Sequence, residues 1–355
     1  MGARIDDLER RLRDASLGKC EWFTVLQEIA DWVGGSKGML LGMPSSGAYR
    51  HAVQFGHRPE AIERYDRHFN QFDPRMPFSK CTPVYECQLG QQYVANADIE
   101  KTEYFDAISR FGDVCDSVHG IIADDEELGR LSISVQRGFS EDFFTHTEAD
   151  RLSAILPQLD MALRDSIRAQ RVAGESQFGG TYAYALVDQG LHADFLPDCD
   201  LANLGAAAKE VRITNGGKLA FADERIAHAM TTAIDHAIKG RRSRFRLGEL
   251  HASLSPVPQA ISWMAQKGCA LLALFPRRNA DRRKAELFGA AFELTAREID
   301  VLAALMANPD PRAVSTRLSM QYETLRWHVK NICLKTGHPS REAMLIAAVS
   351  GDLSA

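Results

Sequence analysis

Arg326, Trp327 and Lys330 lie on one side of a segment whose other side carries Leu325, Val329 and Ile332. Steps of three and four residues put each set on one face of a helix. Thr324 and Asn331 share the polar face. Two cations, an indole and two short hydrogen-bonding side chains can meet an anionic surface that also offers hydrogen bonds. The same pattern also fits a helical bundle with a solvated charged face. Spacing alone leaves both readings open.

The elements around that face can be read in order. Thr295 with Glu298 three residues on forms the signature of a capping box. Ile299, Leu302, Leu305 and Met306 then recur at helical spacing. Pro309 and Pro311 stop this helix, because neither can donate a backbone hydrogen bond. A short second helix, 312–318, turns Val314 and Leu318 inward. The third helix spans 322–335 and a fourth spans 340–348. Two short helices joined by a tight turn match helix-turn-helix geometry, in which the second helix enters the major groove of DNA.

A longer pattern decides between the readings. Leu294-Thr295-x-Arg297-Glu298-x-x-Val301-Leu302, Val314, Leu318, Thr324-Leu325-x-x-His328-Val329-x-Asn331-Ile332-x-x-Lys335, Gly337 and Ser340-Arg341 align without a gap over about fifty residues. The stretch resembles the LuxR/NarL-type (GerE-like) helix-turn-helix of bacterial transcription regulators. That resemblance implies binding to a palindromic double-stranded DNA site as a homodimer, with RNA polymerase as a further partner. By position in the family motif, Arg326, Trp327 and Lys330 face base edges, while Arg317, Thr324 and Lys335 touch phosphates. His328 points inward or to the backbone. Met344, Leu345 and Val349 form the apolar seam by which the last helix pairs with a second copy. Gln321 stands where the family has serine, and a poor N-cap costs roughly 1 kcal/mol.

Charge and composition set further bounds. The chain has 355 residues and a net charge of −5, which argues against indiscriminate nucleic-acid binding. Residues 294–345 carry seven Lys/Arg and five Asp/Glu, so one copy neutralises few phosphates. A dimer doubles the contacts and reads two half-sites. Seven scattered cysteines without CxxC spacing suit a reducing cytoplasm. An extended CTPVYEC segment holds Cys81 and Cys87 near 20 Å, beyond the roughly 7 Å a disulfide tolerates. No apolar run is long enough for a membrane span, and the charged N-terminus lacks a signal peptide's apolar core. There is no Gly-rich phosphate loop, GxSxG or HExxH, no metal spacing of His51, His57 and His68, and no receiver-type aspartate. Hence no enzyme, cofactor or metal is expected.

The region before the helix-turn-helix reads as α+β. Its expected organisation is two antiparallel-sheet, PAS/GAF-like sensor domains joined by a long helix, followed by the all-α four-helix domain. The boundaries are 1–172 for the first sensor, with its long helix near 140–171, and 181–276 for the second. A linker at 277–292 and the DNA-binding domain at 293–355 complete the chain. In the first sensor the order of elements describes a sheet with helices on one face. The linker opens RRNADRRK, a phosphate-contacting arm or a solvated helix.

Tyr65 with Asp73-Pro74 resembles the signal-binding domain of quorum-sensing LuxR regulators, whose tyrosine and Asp-Pro help hold an acyl-homoserine lactone. Here Ala61 and Ile62 stand where the family has tryptophan. A PAS/GAF-like pocket for another small molecule is the preferred reading. Control by a protein partner, or regulation without a ligand, is the alternative. Trp22, Tyr65, Phe72, Phe78 and Tyr104 supply an aromatic lining, with Asp73 as buried acid. Such a wall suits a modest hydrophobic or aromatic effector.

Overall fold

The computed structural model describes residues 2–43, 50–74, 81–93, 96–178, 181–221, 223–265 and 268–350. The chain forms two compact units. Met1–Gln170 with Pro256–Ala270 make the first, and Arg171–Ser255 with Leu271–Ala355 make the second. The chain is α+β, with helices and antiparallel strand pairs in both units. Among the described residues, no helix is long and apolar enough to cross a membrane.

The first unit contains α1 (Gly2–Ser16), α2 (Trp22–Val33), β1 (Lys37–Met43), β2 (Arg50–Phe55) and α3 (Pro59–Arg67). It continues with β3 (Cys87–Leu89), β4 (Asp116–Asp125), β5 (Gly129–Arg137) and α4 (His146–Phe178), the last running into the second unit. The strands form one sheet in the order β2-β1-β5-β4-β3. Alternation along each strand creates its two faces. Leu40, Val118, Ile133 and Val135 join Leu12 of α1, Leu26 and Ile29 of α2, and Leu152, Leu159 and Leu163 of α4 in one apolar core. The intervening side chains point the other way. Met39 and Leu41 meet Ile62 of α3 there. Tyr65, Ile99, Tyr104, Phe105 and Ile108 form a further cluster. Helices therefore cover both faces of the sheet, and the one-face arrangement is corrected. The sequence pattern hid this because α3 exposes Glu63, Arg64 and Asp66 and buries only Ala61, Ile62 and Tyr65.

The long helix begins at His146 and ends at Phe178, whereas the sequence places it at 140–171. Ser140–Thr145 is not helical; its backbone is spent elsewhere, with Arg137 reaching the carbonyls of Asp142 and Phe143. At the far end the helix runs on to Phe178, through most of the gap left between the two expected sensors at 173–180. Gly174 is required there, since a Cβ would lie 2.6 Å from the Tyr184 ring. Phe178 stacks on Phe275 at 4.3 Å, which gives the added turns an apolar anchor.

The second unit contains β6 (Ala183–Val187), β7 (Ala193–Phe195), β8 (Val211–Ile213), β9 (Leu219–Phe221) and α5 (Glu224–Ile238). Next come β10 (Ser243–Leu247), β11 (Leu250–Ser255) and β12 (Ala270–Pro276). Its larger sheet has the order β10-β11-β12-β6-β7. Counted along the chain, both five-stranded sheets follow one order: second, first, fifth, fourth, third. Asp223 caps α5 by accepting from Arg225 N, and Met230, Ala233, Ile234 and Ala237 form its buried stripe.

Five helices finish this unit: α6 (Arg277–Ala291), α7 (Ala296–Ala307), α8 (Pro311–Arg317), α9 (Tyr322–Thr336) and α10 (Arg341–Ser350). Residues 277–291 are thus a helix, one that packs into the domain rather than standing wholly in solvent. Ala285 and Phe288 of α6 are buried in the same core as Val301, Leu302, Leu305, Val314, Leu325 and Ile332. β12 passes into α6 without an intervening residue.

Candidate functional site

The first candidate is a cavity between the first sheet and α3. Met39 and Leu41 of β1, Ser117 and His119 of β4, and Ser134 and Gln136 of β5 form its floor. Ala61, Ile62 and Tyr65 of α3, with Asp73, Tyr104 and Ile108, lie across from them. Space open to water centres is about 60 Å³, against roughly 10–15 Å³ for one water. That is room for a small molecule.

Two clusters of polar side chains break the apolar wall. Tyr65 Oη donates to Asp73 Oδ2 at 3.1 Å, and Tyr104 Oη donates to the same oxygen at 3.0 Å. The two rings meet edge to face at 6.4 Å. On the sheet, Ser117 pairs with Gln136 across the strands and His119 with Ser134, which gathers four polar side chains side by side. Gln136 Oε1 lies 2.8 Å from His57 Nε2, while its Nε2 donates to Ser134 Oγ at 3.2 Å. Among the described residues, no lysine or arginine lines the cavity.

The structure brings Tyr65, Asp73 and Tyr104 together at the cavity and places Trp22 and Phe72 away from it. Trp22 is fully buried in the core, where its Nε1 donates to Ala260 O at 2.7 Å and its ring meets Trp263. Its helix packs on the opposite face of the sheet from the cavity. Phe72 is 55% exposed and lies against His68, because the short helical turn Phe69–Phe72 carries it outward. Phe78 lies outside the described residues. The sheet floor was not foreseen, although its signal was present. Ser117 and His119, and Ser132, Ser134 and Gln136, occupy alternate positions in otherwise apolar strands.

The second candidate is the surface of α8 and α9. The turn between them, 318–321, contains Ser319 at φ 50°. Thr295 and Glu298 make the full capping box of α7, and Asp310 caps α8. Gln321 forms no side-chain cap on α9, consistent with its poor propensity. Gly337 ends α9 in the left-handed conformation. Leu325, Ile332 and Thr336 are buried, which turns Thr324, Arg326, Trp327 and Lys330 to solvent; Asn331 is half-buried at the edge.

Two of the cations expected at phosphates, Arg317 and Lys335, also bond within the domain. Arg317 donates to Ala304 O at 2.8 Å, satisfying a carbonyl at the C-terminal end of α7. Lys335 donates to Glu298 Oε2 at 2.8 Å and to Glu293 O at 3.2 Å. Burial pushes the Glu298 carboxyl up, but hydrogen bonds from Lys335 and Thr295 outweigh it and leave the group below its ordinary value. His328 is half-buried and meets Trp327 edge to face. On α10, Met344 is buried in the domain core and unavailable to a second copy, whereas Ile346 and Val349 are exposed. Cys87 is a free, half-buried thiol.

No protein-family model matches the chain, and no curated protein matches it. Among solved structures, the chain is similar to the ligand-binding domain of VqsR from Pseudomonas aeruginosa. That alignment has 16% identity and a TM-score of 0.36, covering 47% of this chain and 96% of that one. It is also similar to the bacteriophytochrome RpBphP3 from the photosynthetic bacterium R. palustris, at 10% identity and a TM-score of 0.32. This second alignment covers 77% of this chain and 62% of that structure, less than two thirds of its length.

Proposed function

We propose that the chain is a sequence-specific DNA-binding transcription regulator, dimeric on its site and controlled by a small molecule in the first-unit cavity. The observation that carries this reading is the outward face of α9. Arg326, Trp327 and Lys330 stand exposed on a short helix anchored by Leu325 and Ile332, directly after α8 and a four-residue turn. This is the arrangement by which a second helix reaches base edges in the major groove. With so few cations per copy, two copies must act together. The reading assigns the chain no catalytic role, and RNA polymerase is the partner through which bound protein would act.

The cavity favours an uncharged or cationic effector. Its carboxylate accepts from two tyrosine hydroxyls, and among the described residues no cation lines the wall to offset the burial of an anion. The polar sheet floor asks for hydrogen-bonding groups on a second side of the ligand. This shifts the expected effector from a purely hydrophobic molecule to a small, polar-faced one.

Incubation of the full-length protein with a randomised duplex pool tests the reading. Enrichment of an inverted repeat, with affinity falling steeply as salt rises, is the expected result. Failure to enrich any duplex at low salt, about 50 mM, overturns it.

A further inference from the structure

The outer face of α9 carries more than positive charge. Glu323 and Arg326 stand one turn apart with side chains 75% and 65% exposed, and their charged groups lie 3.4 Å apart. Trp327, the next residue, is 59% exposed. An acid on a DNA-facing surface weakens phosphate attraction on every sequence, so affinity alone gives no reason for Glu323. Its carboxylate can only accept hydrogen bonds. In the major groove the cytosine N4 amino group is the donor that suits such an acceptor, and guanine O6 and N7 match the guanidinium fork. An exposed indole offers little to a phosphate. The apolar group it can cover in that groove is the thymine methyl. All three residues lie in the first two turns of α9, the part of such a helix that meets base edges.

We propose that Glu323, Arg326 and Trp327 form one readout set for a C·G pair beside a T·A pair. Glu323 accepts from cytosine N4 and fixes the plane of the Arg326 guanidinium. Arg326 donates to guanine, and Trp327 covers the thymine methyl. The inference rests on the DNA-binding reading above. The competing account makes Glu323 an acid in the first turn of a helix, favourable to the helix dipole and nothing more.

Full-length wild type, Glu323→Gln and Trp327→Ala are each put through selection from a randomised duplex. Each is then titrated onto the wild-type winner, with the C·G pair exchanged for T·A or with thymine replaced by deoxyuridine. All three proteins should share one melting temperature, since both positions are exposed. Wild type is expected to select C·G next to T·A. Glu323→Gln is expected to bind all duplexes at least as tightly, while its discrimination at C·G falls by roughly 5- to 150-fold. Deoxyuridine should weaken wild type about fourfold, the worth of one buried methyl group, and leave Trp327→Ala unchanged. If wild type enriches a sequence but Glu323→Gln keeps its discrimination and deoxyuridine costs nothing, the readout set is refuted and DNA binding stands. If no duplex is enriched, the DNA-binding reading fails and this inference fails with it.

Discussion

Lys335 Nζ lies 2.8 Å from Glu298 Oε2, so the last turn of α9 is tied to the capping box that opens α7. The Glu298 side chain is 5% exposed and that of Lys335 is 37% exposed. Lys335→Met should therefore destabilise the helical domain by about 1 kcal/mol, a low value because solvent reaches the lysine. The Glu298 carboxyl titrates below its unfolded value, so its contribution is complete above pH ~4.3 and is lost as pH falls through the lower, folded value. Melting temperature against pH should show an acid-side slope in wild type that is reduced in Glu298→Gln. A Lys335→Met protein with unchanged melting but weaker DNA binding would return this lysine to the phosphate backbone.

Phe288 gives the second expected outcome. It is buried among Phe292, His338 and the core of α7 and α9, and its helix α6 fits closely enough that a Cβ on Gly289 would lie 2.7 Å from Ile299. Phe288→Ala should cost about 3–5 kcal/mol in urea denaturation of the full chain. A solvated linker at this position would give no measurable change.

Trp22→Phe separates core from ligand wall. The substitution removes the N–H that Ala260 O accepts and thins the contact with Trp263, whose own Nε1 donates to Ser166 Oγ at 2.9 Å. A loss of about 1–3 kcal/mol is expected from the unsatisfied carbonyl. Ligand-induced stabilisation, read by thermal shift, should persist in the variant. Its disappearance would place Trp22 in the binding site after all.

Local chemistry made part of this architecture legible in advance. Thr295/Glu298 and Gly337 announce helix ends because capping and left-handed backbone depend on the residue itself. β1, β2, β4 and β5 follow from alternation, and Tyr65 with Asp73-Pro74 stood out through their resemblance to a LuxR-type signal-binding motif. What escaped depends on distant partners. The side on which Trp22 packs is set by Trp263, more than two hundred residues away. A basic run at 277–284 looks solvated until Ala285 and Phe288 find the core of α7. Gln136 and His119 reveal themselves as cavity floor only when α3 closes over the second face of the sheet.

The last expectation concerns the two hydrogen bonds that Asp73 Oδ2 accepts from Tyr65 and Tyr104. Both tyrosines and Asp73 line the cavity, so the pair fixes a carboxylate that can accept hydrogen bonds from an effector. Tyr104→Phe removes one donor and adds no bulk. It should cost about 1 kcal/mol of stability without ligand and reduce the thermal shift produced by an active compound. Asp73→Asn removes the charge, so it should weaken a cationic compound far more than an uncharged one. A panel of small amines, amides, lactones, phenolics and carboxylates, screened by thermal shift on the full-length protein, supplies the probes. Amines, amides or phenolics should raise the melting temperature and carboxylates should not. Stabilisation by carboxylates alone, unchanged in Tyr104→Phe and Asp73→Asn, would show that the effector binds elsewhere.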